Sequence, residues 1–140
     1  MKFLLISFGV SLACVGLAIC AGKGGKMNDI LKAKSVKIGY MINGQRKQLT
    51  ISDAAKVKDI LATISIDETD DSSAGHKPKG TVDFILGDDK VVNTSFVRSA
   101  RLDRADAGQV YLKDTKFYEK INQILSEKEG RMIDVLEDNK

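Results

Sequence analysis

Arg98, Arg101 and Arg104 recur at every third residue of RSARLDRADAG, with Asp103 and Asp106 interleaved. On a helical turn, guanidinium groups at that spacing would share a face and could grip phosphate or carboxylate groups with paired N–H donors. The interleaved acids could instead neutralise them as an internal ion-pair network. The run reads as an irregular charged connection, and loops held on a rigid scaffold are common recognition elements. If the chain has a ligand site, Arg98, Arg101 and Arg104 are the residues expected to form it.

The other reactive residues are sparse. Asp67, Glu68, Asp70 and Asp71 could gather calcium through carboxylate oxygens. A calcium loop, however, wants glycine where Ser72 stands and a late glutamate where Pro78 stands. A solvated acidic loop is the expectation, with no metal and no cofactor. His76 is the only histidine; a catalytic triad would need it as the base, and a zinc site would find only this one imidazole. Its place beside Gly75 and close to Pro78 reads as an exposed loop. Two of Asp67, Asp71, Asp103 and Asp106 could serve a small hydrolase if they converged in a cleft with one pKa raised by burial. No serine elbow, phosphate loop, dinucleotide fingerprint or zinc-protease helix is present, so no residue is assigned a catalytic role.

Both cysteines, Cys14 and Cys20, lie in the opening MKFLLISFGVSLACVGLAICAG, which carries one lysine and then no charge until Lys23. A basic start, an apolar middle and a small-residue exit make a secretory signal, expected over residues 1–21 with Ala21 before the cut. A membrane-spanning helix is the alternative, since about 20 apolar residues suffice; the Gly, Ser, Ala and Cys content and the start at the third residue argue against it. Lipid anchoring is a further alternative. Cys20 has Leu17 in the favoured place but bulky Ile19 before it, whereas Cys14 follows small Ala13 but has Ser11 where leucine is expected. The leading expectation is an exported product, secreted or periplasmic, with no cysteine left and hence no disulfide.

Composition narrows the rest. The 140 residues carry 22 Lys and Arg against 19 Asp and Glu, a formal charge of +3. That balance argues against a nucleic-acid binder, in which a basic stripe should dominate. Five Phe, three Tyr and no Trp give poor support to a sugar-stacking platform. The length after the signal suits one domain with one core.

The elements follow from periodicity. GKGGK at 22–26 opens a flexible tether and lead-in over 22–35. Val36, Ile38, Tyr40 and Ile42 alternate with Lys37, Gly39, Met41 and Asn43, the pattern of a half-buried strand. Asn43-Gly44 is a strong hairpin signal, because a type I′ turn needs positive φ at both central residues. The turn fixes the register: Ile42 faces Gln45, Ile38 faces Leu49 and Val36 faces Ile51. A helix follows, with Ser52 as the hydrogen-bond acceptor at its start, Asp53 suited to the positive end of its dipole, and Ala54, Val57, Ile60, Leu61 and Ile64 as its apolar stripe. TVDFILGDDKVVNTSFV reads as a second hairpin turning at Gly87-Asp88-Asp89. QVYL is a short strand, and a second helix begins at Asp114 or Thr115, carries Phe117, Tyr118, Ile121, Ile124 and Leu125, and stops at Gly130. The tail RMIDVLED is read as a last strand through Met132 to Leu136.

The expected fold is α+β, an antiparallel sheet of five or six strands with two helices on one face, in a domain spanning 36–140. The gapless match of QLTISDAAKVKDI with QVYLKDTKFYEKI raises two ββα units as an alternative organisation. In outline the plan is similar to small exported inhibitor-like and PepSY-like domains, an analogy of architecture that implies no activity. The expected function is that of a small exported bacterial module, non-enzymatic, binding a protein or cell-envelope component through its sheet or the Arg98 to Asp106 segment. The alternatives are a carboxylate-dependent hydrolase and a structural membrane-anchored lipoprotein held by Cys20 or Cys14.

Overall fold

The structure is a computed structural model that describes residues 29–67, 79–87, 89–98, 101–104 and 108–139, with the backbone alone at 67, 98, 103, 104 and 108–111. The chain enters through a helical turn at 29–31, and Ile30 and Ala33, in the stretch read as lead-in, are already buried. Strand β1 (Ser35–Ile42) and strand β2 (Gln45–Ile51) follow. Asn43 and Gly44 both take positive φ, 50° and 73°, which a two-residue turn of the I′ kind requires. The register is the one the turn dictates: Ile42 opposite Gln45, Ile38 opposite Leu49, Val36 opposite Ile51.

Helix α1 spans Ala54–Ala62. Its capping acceptor is Asp53 rather than Ser52: the Asp53 carboxylate takes the backbone N–H of Lys56 at 2.9 Å. A side-chain oxygen one residue before the first helical position reaches the orphan N–H groups of the first turn, which leaves Ser52 one position too early. Val57 and Ile60 point into the core.

Five more strands complete the sheet: β3 (Ile66–Asp67), β4 (Gly80–Gly87), β5 (Lys90–Arg98), β6 (Arg101–Arg104) and β7 (Gly108–Leu112). All pair antiparallel in the order β2-β1-β4-β5-β6-β7-β3. The α+β class is as expected, and five of the seven strands have five residues or more. β6 replaces the irregular connection expected there. Helix α2 spans Lys116–Glu129 and ends at Gly130 in the left-handed conformation, φ 66°. Its preceding strand, β7, lies beside β6 and β3, away from the β1–β2 hairpin, so the fold does not mark off a second ββα unit.

Strand alternation sends one set of side chains to one face: Val36, Ile38, Tyr40 and Ile42 from β1, Val82 and Phe84 from β4, Val92 and Phe96 from β5, Leu102 from β6 and Leu112 from β7. These form one core with Val57 and Ile60 of α1 and Phe117, Ile121 and Leu125 of α2, so both helices cover the same face. Phe117 stacks on Phe96 at 5.9 Å and meets Phe84 at 6.1 Å, the central seam between α2 and the sheet.

The tail is not a strand. Ile133 and Val135 are buried, at 1% and 2% exposure, and Met132 lies outside at 90%, but their partner is a polar stripe on α2. Ser126 accepts the Ile133 N–H at 2.8 Å, Asn122 accepts the Val135 N–H at 2.8 Å, and Tyr118 donates to the Asp134 carboxylate. These three residues stand four apart, on one side of the helix. Further along the tail, Asn139 bridges Ile42 in parallel and accepts the Asn43 N–H at 2.7 Å on its carbonyl. The alternation of buried and exposed residues was legible; the element that satisfies their backbone was not.

Candidate functional site

The strand register rearranges the three arginines. Arg98 stands directly opposite Arg101, and Arg101 opposite Tyr111, which in turn faces Asp67. Arg98, Arg101, Tyr111 and Asp67 therefore hold successive register positions across four strands. Arg104 faces Thr94 and Gly108 at the other parity of β6. The helical turn on which the three would share a face does not form: Arg101 and Arg104 lie in a strand, where a period of two separates positions three apart. Arg101 is buried, at 3% exposure, and is no open guanidinium fork.

The remaining sequence candidates are placed as follows. Cys14, Cys20, Glu68, Asp70, Asp71, His76 and Asp106 lie outside the described residues. Asp67 and Asp103 are strand positions in β3 and β6. Among the described residues, no group of three or more His, Cys, Asp or Glu could hold a metal ion, and no helix is long and apolar enough to cross a membrane.

Three described groups titrate away from their ordinary ranges, and all three serve tertiary hydrogen bonds. Burial, then the hydrogen bond to Glu129, holds the Tyr40 phenol far above its ordinary 10.0. Burial, then the hydrogen bond to Asp134, pushes Tyr118 up to about 12. The Tyr40 hydrogen bond, followed by that of Lys47, holds the Glu129 carboxyl below its ordinary value. A general acid or base works best with a pKa near the operating pH. Each of these shifts runs away from neutrality, the direction expected of structural hydrogen bonds.

The face of the sheet away from the two helices, open among the described residues, is different in character. It carries Lys37, Gly39 and Met41 from β1, Arg46, Gln48 and Thr50 from β2, Thr81, Asp83 and Ile85 from β4, and Val91 and Asn93 from β5. Val91 is a large apolar residue 44% exposed. Asn93 donates to Asp83 across the strands at 2.9 Å.

At one end of this face lies a cleft of about 370 Å³ lined by Gly39, Tyr40, Met41, Arg46, Lys79, Gly80, Thr81 and Asp138. It exists because β4 begins at Gly80 while β1 runs on to Ile42. Two of its lining residues are glycines at close-packed positions. A Cβ on Gly39 would lie 2.3 Å from the Thr81 hydroxyl, and one on Gly80 would lie 2.6 Å from a Val135 methyl and 3.0 Å from the Gly39 carbonyl. The sequence signal for this cleft was Gly39, the one residue without a side chain in an otherwise regular alternation; such a glycine marks close approach of other atoms. Comparisons with protein-family models, curated proteins and solved structures found no match to this chain.

Proposed function

We propose that the protein is a non-catalytic binding module, exported from a bacterial cell, whose partner is a protein or cell-envelope component that seats on the open face of the sheet. The observation that carries this reading is the one-sided architecture: α1, α2 and the tail pack on one face, and the opposite face offers mixed apolar and polar side chains around a cleft. An antiparallel sheet tolerates one wet face, and loops and faces on a rigid scaffold are where recognition is placed.

A photo-cross-linkable residue installed at Asn93 on the open face, or at Gln123 on α2, tests the reading in an exporting host. Adducts of one defined mass from position 93 and none from 123 support it; adducts from 123 alone contradict it. The export component is read separately from the intact mass of the recovered protein. A soluble product beginning at Gly22 fits a discarded signal, whereas a membrane product beginning at Cys20 or Cys14 with added acyl mass would replace secretion by anchoring.

A further inference from the structure

We propose that the cleft over Gly39 and Met41 is an anion site that takes a carboxylate or phosphate group of the ligand. Two cationic side chains from different strands line it: Arg46 from β2 and Lys79 at the entry to β4. Alternation along β2 divides the basic pair Arg46-Lys47 between the two faces. Lys47 turns to the helical side and pairs with Glu129 at 2.9 Å. Arg46, opposite Met41 on the other side, has no ion pair or side-chain hydrogen bond among the described residues.

Lys79 is held only loosely. Its carboxylate neighbour is Asp138 at 4.0 Å, and the two side chains are 45% and 73% exposed. An exposed pair at that distance contributes little and is screened by water and salt. The cleft therefore keeps a net positive charge with Arg46 and Lys79 both able to turn to a ligand. A guanidinium offers paired N–H donors matched to two oxygens of an oxyanion, and an ammonium adds a point charge.

The polar complement comes from Thr81. Its hydroxyl occupies the space over Gly39, lines the cleft and has no hydrogen bond among the described residues. A hydroxyl can donate to an oxyanion. Because Gly39 has no side chain, the Thr81 hydroxyl can lie low over the β1 backbone, where an anion in the cleft would meet it. The volume, about 370 Å³, exceeds what one phosphate needs and leaves space beside Met41 for an apolar portion of an organic anion.

The inference rests on the open face being the binding surface, and its test is separable from that reading. Amide resonances of the full purified protein would be followed during titration with inorganic phosphate and, in parallel, with acetate, against sodium chloride at matched ionic strength. Saturable shifts at Gly39, Met41, Arg46 and Thr81, with affinity about tenfold weaker in Arg46→Gln and Lys79→Gln and unchanged in Lys56→Gln, support the site; a tenfold loss corresponds to about 1.4 kcal/mol. The tighter of the two probes assigns the phosphate or the carboxylate class. No saturable shift beyond the chloride control, or shifts that persist undiminished in both variants, overturns it. The spectra of the variants report their folding directly. A cross-link from position 93 without any anion response would remove this cleft and leave the open-face reading standing.

Discussion

The Tyr40 hydroxyl donates to the Glu129 carboxylate at 2.6 Å, joining residues 89 apart in the chain. The other oxygen of Glu129 takes Lys47 at 2.9 Å. One carboxylate at the last turn of α2 thus ties down both strands of the first hairpin, the hairpin whose opposite side forms the cleft with Arg46. The Tyr40 ring is 1% exposed, and a buried phenol usually finds such a partner.

Tyr40→Phe should lower the urea midpoint with the m-value unchanged, because it removes a charge-assisted hydrogen bond and little surface. The effect should depend on acid. Glu129 binds protons more weakly in the folded chain than in the unfolded one, so its contribution is present above about pH 4.5, its ordinary value. It is lost as pH falls through the lower folded value. The gap between wild type and Tyr40→Phe should therefore narrow below pH 4.5. A gap that is constant from pH 7 to the acid limit would contradict the assignment.

Tyr118 supplies the alkaline counterpart. Its folded pKa, about 12, stands above the ordinary 10.0, so the stability it contributes is complete below pH 10 and is lost as pH rises towards 12. Tyrosinate absorbance should show Tyr118 un-ionised in the native protein at pH 10, and Tyr118→Phe should flatten the alkaline loss of stability. Ordinary ionisation of this residue near pH 10 in the folded state would count against the Asp134 contact.

The two glycines of the cleft should differ in cost. A Cβ on Gly39 meets a hydroxyl that can rotate away, whereas one on Gly80 meets Val135 and the Gly39 carbonyl, which are fixed by packing and pairing. Gly39→Ala should cost about 1 kcal/mol and be recovered in part by Thr81→Ala; Gly80→Ala should cost about 2–3 kcal/mol with no such rescue. Denaturant titrations of the three variants and the double variant check this. Equal costs would mean that the Thr81 side chain does not occupy the space over Gly39.

Asn139 should matter more than an ordinary surface residue does. Its amide N–H groups donate to the carbonyls of Met41, Asp134 and Glu137 at 3.2, 2.8 and 3.1 Å, and its side-chain oxygen accepts the Asp134 N–H at 3.0 Å. Asn139→Ala should destabilise by about 2 kcal/mol, since several partly buried groups lose partners together. Hydrogen exchange should locate the loosening at Asn43 and at the amides of residues 133–135. A loss under about 0.5 kcal/mol, the range of an ordinary surface substitution, would contradict the bracing role.

Legibility in the sequence followed the locality of the cause. The first hairpin was readable residue by residue because Asn43-Gly44 fixes its register through backbone geometry alone. α2 was readable through Phe117, Ile121, Leu125 and the Gly130 stop. The Arg98 to Arg104 run reads as an irregular charged connection because Leu102 alone is too little apolar pattern to announce a strand; β6 exists because β5 and β7 flank it. The tail misled in another way. Ile133 and Val135 alternate as strand residues do, but Ser126 and Asn122 on a helix take the hydrogen bonds that a neighbouring strand would have supplied. The cleft was least legible, since it is made by where β4 begins relative to β1.

Hydroxyl-radical labelling of the protein inside an exporting host, compared with the purified protein, tests the open-face claim most directly. Met41, Ile85 and Val91 report on the open face, and Met132 and Leu31, exposed at 90% and 39%, report on surfaces outside it. Protection of Met41, Ile85 and Val91 in the host, with Met132 and Leu31 labelled as in the purified protein, is the predicted result. Unchanged labelling of the first three, or protection confined to Met132 and Leu31, would contradict a partner on the open face.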